Sequence, residues 1–199
     1  MKIAFYGAAH EVTGSCTVIY ACGKTIMVDC GLEQGPDIYE NCTLPFAPSQ
    51  IDYVLLTHAH IDHSGKIPSL VAGGFRGKIY ATEATTKLCN IMLLDSAHIQ
   101  ESEAKWRNRR AKRSGGEEYI PLYTTEDAEH ALKQFVPCSY EKPIDLCKGV
   151  AVTFTDAGHL LGSSSIEIWI NEVPVVDTSG IKCEASFVKV QQLDKLSGP

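Results

Sequence analysis

Six consecutive residues, His58-Ala59-His60-Ile61-Asp62-His63, hold three of the chain's seven histidines and one carboxylate. Imidazole and carboxylate in this mix are ligands for zinc, with manganese or iron as chemically possible occupants. The cluster ends the apolar run "IDYVLLT", which reads as a strand. Side chains two apart on a strand point the same way, so His58 and His60 are expected to face one ion together. Asp62 and His63 come where the chain leaves the strand and can turn toward a second ion. A lone histidine there would be an ordinary solvated loop residue, whereas four ligand-type residues at this spacing read as a metal site. A third imidazole for the first ion is His159, in "TFTDAGHLLGSSS", where another strand runs into a glycine-flanked turn. His98 and His130 fall in helical patterns and take surface or packing roles. His10, in "GAAHEVTGS", follows a strand, and an exposed loop position outweighs a site role for it.

These residues need elements to position them. "KIAFYG" reads as a strand, and "CTVIY" with "KTIMVDCG" as a hairpin around Ala21-Cys22-Gly23. After the proline-punctuated loop "QGPDIYENCTLPFAPSQ" and the histidine-bearing strand come a helix near "IPSLVAGG" and a strand "KIYAT". A long helix is predicted from about Thr85 to Arg113, with Ile91, Leu94 and His98 on one face. A second helix, "TEDAEHALKQF", has a threonine cap and stops before Pro137. "GVAVTFTDAG" and "SSIEIWI" read as strands. Strands with interspersed helices make an α/β layered domain.

Composition bounds the rest. With 199 residues, 44% hydrophobic and 21% charged, the chain suits one globular domain of ordinary size. Eight scattered cysteines without CxxC pairing read as reduced thiols of a cytoplasmic protein. Neither a signal peptide nor an apolar run of membrane-spanning length is expected. The net charge of −6 excludes a generally basic nucleic-acid coat but allows a local basic surface. "KWRNRRAKR", from Lys105 to Arg113, carries six of the eighteen lysines and arginines. It reads either as a solvated helix face or as a phosphate-contacting surface beside the metal cleft, with Trp106 placed to stack on a base or to anchor the helix.

"THAHIDHSG" resembles the HxHxDH signature of the metallo-β-lactamase superfamily. "MVDCG" resembles the Asp-bearing strand end that precedes it, and "DAGHLLGSSS" the third, His-bearing motif. "FYGAAHEVTGSC" and "ESEAKWRNRR…PLYTTEDAEHAL" are similar to the beta-CASP branch, ribonucleases related to ribonuclease J and to the nuclease of mRNA 3′-end cleavage. The resemblance covers roughly residues 1 to 170 and implies an αββα sandwich. It implies that His58, His60 and His159 hold one zinc, that Asp62 and His63 serve a second, and that Asp29 orients the ligand loop by hydrogen bonds. Such a pair acidifies a shared water and polarises a phosphoryl oxygen, so RNA is the implied substrate. Asp29 has a plainer alternative, a turn-forming aspartate before Gly31.

The chain departs from the pattern at the fourth motif. "IEIWINEVPVVDTSGIKC" has Gly180 where the family's metal-bridging aspartate is wanted, and Asp177 is out of register. The tail 171–199 resembles neither the cap domain nor the late histidines of the branch. The chain therefore looks like the N-terminal part of a larger nuclease or a truncated relative, with sheet surface left free for self-association. Two other functions stay open: a small-ester, thioester or lactone hydrolase of the same fold, and a non-catalytic metal-binding remnant.

Overall fold

Buried positions alternate between two cores in the first hairpin, which is why its strands carry apolar residues on both faces. In β2 (Cys16–Ala21) and β3 (Lys24–Val28), Val18 and Met27 enter one core while Ile19, Ile26 and Val28 enter the other. The connecting Cys22 and Gly23 both have positive φ (52° and 70°), the two-residue turn whose twist matches that of the strands. The computed structural model describes residues 1–9, 12–34, 41 and 46–171, with the backbone alone of 188–192.

β1 (Lys2–Gly7), β2, β3, β4 (Tyr53–Leu55), β5 (Lys78–Thr82) and β6 (Phe135–Cys138) form a six-stranded sheet in sequence order. β3, β4, β5 and β6 run parallel, so their carboxyl ends and the loops leaving them gather along one edge. The crossovers are α1 (Ile61–Ser64), α2 (Ile67–Ala72), α3 (Glu83–Ser114) and α4 (Thr125–Leu132). They pack on one face of the sheet around Phe75, Leu70, Leu93 and Tyr123. Against the other face lies a sheet of β7 (Ile144–Cys147), β8 (Val150–Asp156), β9 (Ser164–Ile170) and β10 (Val188–Gln192), in the order β10-β9-β8-β7. Val152, Phe154, Ile166 and Ile168 fill the space between the sheets, each such buried side chain contributing about 1.5–3 kcal/mol. Helices, sheet and sheet are three layers of an αββα sandwich. Among the described residues no helix is long and apolar enough to cross a membrane.

Three expectations change. The long helix exists, but its buried face is Thr85, Cys89, Leu93 and Ala97, and Ile91 is 69% exposed. Cys89, Leu93 and Ala97 belong to the core between helices and sheet, so position on the helix rather than hydrophobicity decides what is buried. The stretch around Pro137 is a strand, not only a stop: β6 is an edge strand, where a missing N–H costs no ladder bond. β7 carries no alternation strong enough to have been read.

α4 opens with the capping box Thr124–Asp127, in which each side chain bonds the other's backbone N–H. Thr124→Ala is expected to lower stability by about 1 kcal/mol in chemical denaturation, with the denaturant slope unchanged.

Candidate metal centre

The gathered strand ends bring the predicted ligands together. β4 stops at Leu55, so His58 and His60 sit in the loop beyond it rather than on the strand itself. His60 is the N-cap of α1, and Asp62 and His63 lie in that single helical turn. His58 Nε2 is 3.1 Å from His60 Nδ1, and His159 Nε2 is 3.3 Å from the same atom. The three ligand atoms all lie within 4.8 Å of one another. Two nitrogens on a tetrahedral zinc with bonds of 2.0–2.1 Å are about 3.3 Å apart, so this donor set fits such an ion.

His58 is fully buried, and burial, reinforced by the nearby His63, pushes its pKa down to about 3. At neutral pH the ring is uncharged and carries a free lone pair. Thr57 determines which nitrogen holds that pair. Its hydroxyl lies 2.9 and 3.0 Å from the two Asp29 oxygens and 3.0 Å from His58 Nδ1. With the hydroxyl proton given to the carboxylate, the oxygen accepts from Nδ1–H, and Nε2 faces the cluster unprotonated.

Asp29 is 1% exposed and adopts φ of +58°, a left-handed backbone conformation that aspartate tolerates. It accepts the Thr57 N–H at 2.9 Å and the Ser15 hydroxyl at 3.2 Å, and its Oδ2 meets His63 Nδ1 at 2.7 Å. Burial opposes a charge on His63, yet the hydrogen bond and charge of Asp29 outweigh it and raise the pKa. His63 Nε2 points the other way, 3.6 Å from Asp62 Oδ2. Backbone bonds hold this turn: Ser15 N–H donates to the Asp62 carbonyl and Cys30 N–H to the His63 carbonyl, both at 2.8 Å. Gly31 is packed so closely that a Cβ would sit 1.6 Å from the Asp62 carbonyl oxygen, which excludes any larger residue.

His159 stands on an exposed turn after β8. Ser163 Oγ accepts its backbone N–H at 3.1 Å, and Ser164 donates to the Thr57 carbonyl from both backbone and hydroxyl. Beside it opens a groove of about 660 Å³, lined by Glu83, Tyr140, Asp156, His159 and Leu161 among others.

The remaining predicted positions fall elsewhere. His98 and His130 are exposed on their helices, and His10, Asp177 and Gly180 lie outside the described residues. The start of α3 packs near α1, and Lys105 follows Glu83 by 22 residues, about 33 Å of helix axis. The basic run is thus not beside the histidines, and a long helix separates the two. Arg107 pairs with Glu103 and lies over Tyr119, and Trp106 is 60% exposed with Arg110 above its ring. Thr57, Ser15 and Ser163 were not singled out in the sequence. Thr57 directly precedes His58, and a hydroxyl beside a ligand was the available signal.

The sequence matches a family described as "Metallo-beta-lactamase superfamily domain" over residues 18–177. It is 36% identical over 167 residues to "Ribonuclease TTHA0252" of Thermus thermophilus, covering 83% of this chain and 34% of that protein. It is 32% identical over 183 residues to "Probable RNase MJ4" of Methanocaldococcus jannaschii, covering 92% and 39%. "Transcription termination factor FttA" of the same organism is 30% identical over 191 residues, covering 94% and 28%. The chain therefore spans between a quarter and two-fifths of the length of these relatives. Their names agree with the resemblance to the ribonuclease branch.

Proposed function

The chain belongs to the metallo-beta-lactamase superfamily, and from that premise we propose that it is a zinc-dependent hydrolase that cleaves RNA phosphodiester bonds. The observation that carries this reading is the convergence of three imidazole nitrogens within 4.8 Å, two from the loop after parallel strand β4 and one from the turn after β8 of the second sheet. His58, His60 and His159 would hold one ion, and Asp62 with His63 would contribute to a second. Bound zinc supplies Lewis acidity toward a phosphoryl oxygen and an acidified water as nucleophile. The protein's own part is to orient the imidazoles: Thr57 holds the buried, neutral His58 with Nε2 toward the cluster, and Asp29 holds His63 through Nδ1 so that Nε2 faces Asp62. Asp29 is not itself a ligand here, because Thr57, Ser15 and His63 take up its oxygens. Asp62 is the partly exposed carboxylate of the set and the acceptor for a proton leaving the reacting water. RNA as the substrate class rests on the names of the relatives. A domain over residues 1–170 followed by a tail is part of this reading, although β10 at 188–192 pairs with β9 and belongs to the second sheet.

A second reading, a metal-binding module without turnover, is favoured by one observation. Among the described residues, the second position counts two ligand atoms, those of Asp62 and His63, and the three-residue group is the histidine cluster alone. The two readings separate in one experiment, in which zinc-loaded protein is given an end-labelled RNA oligonucleotide and, in parallel, p-nitrophenyl acetate. RNA cleavage abolished by a chelator and by His58→Ala/His60→Ala is expected. Bound zinc without cleavage of either substrate would leave the binding module, and ester hydrolysis alone would move the substrate class to small esters.

A further inference from the structure

Gly162 lies three residues past His159, and its carbonyl oxygen is met by two hydroxyls. Thr82 Oγ1 approaches it at 2.6 Å and Thr85 Oγ1 at 2.8 Å, from the start of α3. Both threonines are buried, at 2% and 0% exposure. Thr82 is the N-cap of α3, its Oγ1 accepting the Thr85 N–H at 3.2 Å, and the two hydroxyl oxygens are 3.0 Å apart. Two hydroxyl protons serve three contacts. Either both go to the carbonyl, or Thr82 donates to Thr85 and Thr85 to the carbonyl, and in each arrangement Thr85 holds the carbonyl.

The same peptide is held from its other side. The Ser163 N–H donates to the Leu160 carbonyl at 2.8 Å, while Ser163 Oγ accepts the N–H groups of His159 and Leu160. Gly162 has φ of +86°, and a Cβ there would lie 2.5 Å from the Thr85 nitrogen, so the helix start and the loop are in direct backbone contact. Capping α3 requires Thr82 alone. A second buried hydroxyl, aimed at a loop 77 residues away, is not a capping device.

His159 depends on this loop more than His58 and His63 depend on theirs. His58 and His63 have their Nδ1 atoms held by Thr57 and Asp29. Among the described residues, the hydrogen-bond and ring contacts of the His159 side chain are all with the other imidazoles, so its backbone determines where it stands.

We propose that Thr85, together with Thr82, is a positioning residue for His159: by fixing the Gly162 carbonyl it holds the turn that places His159 Nε2 against His60 Nδ1. This rests on the three histidines being a metal site. The test is zinc affinity by chelator competition, with the visible absorption spectrum of the cobalt(II)-substituted protein, for Thr85→Val and Thr85→Ser. Melts of the metal-free proteins run alongside to identify folded samples. Valine keeps the shape and leaves the Thr82 cap, so an affinity loss of about tenfold is expected, at the low end for loss of an outer hydrogen-bond partner. An altered cobalt spectrum should accompany it, and serine should restore both. Should the valine variant fail to fold, Thr85→Ala takes its place with the same expected loss. Unchanged affinity and spectrum in the variant lacking the hydroxyl, or failure of serine to restore them, overturns the assignment. Wild-type protein whose zinc binding does not depend on His58 and His60 overturns the metal site and this inference together, whereas a silent Thr85 variant with a histidine-dependent wild type overturns this inference alone.

Discussion

Purified protein with His58 and His60 both replaced by alanine is expected to carry no tightly bound zinc, while the wild-type chain carries one to two ions by plasma mass spectrometry. The double variant leaves one imidazole, His159, of the three-histidine group and the two ligand atoms of Asp62 and His63 beside it, too few in either place to hold an ion tightly. Thermal stability offers an independent readout. Zinc at a thousandfold excess over its dissociation constant adds about 4 kcal/mol to a folded state that binds one ion. The wild-type melt should therefore rise on adding zinc and the variant's should not. A variant that keeps a full ion per chain would place the metal elsewhere. The wild-type count is informative in itself: near two ions means that Asp62 and His63 complete a second site, and one ion means that the second position needs further ligands.

The second large effect concerns a residue that touches no ion. Replacing Asp29 by alanine removes the acceptor for the Thr57 N–H and hydroxyl, the Ser15 hydroxyl and His63 Nδ1. It also forces a Cβ without a polar head into φ of +58°, a conformation that costs about 1–2 kcal/mol. Each buried donor left without its acceptor costs about 1–3 kcal/mol, and with the Thr57 N–H and the Thr57 and Ser15 hydroxyls among them a loss of several kcal/mol is expected in chemical denaturation of the metal-free protein. Asp29→Asn is the sharper variant. Asparagine tolerates the left-handed backbone and keeps one oxygen for Thr57, but its amide nitrogen then faces Ser15 and His63. The His63 ring must accept at Nδ1 and carry its proton on Nε2, the atom aimed at Asp62. Zinc stoichiometry should fall toward one as the second position loses its imidazole lone pair. If Asn at this position retained the wild-type zinc count and stability, Asp29 would be a turn residue and nothing more.

Local sequence carried a good deal of this architecture, and the reasons are local. Period-two burial reveals β8 and β9, whereas β2 and β3 read as short apolar runs because both of their faces enter a core. The Cys22-Gly23 turn and the threonine cap of α4 are recognisable because the chemistry of a chain reversal or a helix start lies within four residues, whereas α3 starts at Glu83, two residues before the expected Thr85, behind its cap Thr82. The face that α3 buries was not legible. Apolar side chains occur all around it, and the choice of Cys89, Leu93 and Ala97 over Ile91 depends on which side of the helix faces the core.

The same division runs through the site. Residue type and spacing alone identify His58, His60, Asp62 and His63 as ligand-class residues, because six consecutive positions cannot spread far in space. His159 is different, since it meets His60 across 99 residues of chain, and the sequence offers only its residue type and a glycine-rich turn. What only the tertiary structure decided is how each imidazole is oriented. Thr57 to Asp29, Ser164 to Thr57 and Thr85 to Gly162 are contacts between segments 28, 107 and 77 residues apart. Hydrogen bonds act over about 3 Å, so they are determined by which strand ends the sheet brings side by side, and sequence separation carries no trace of that adjacency.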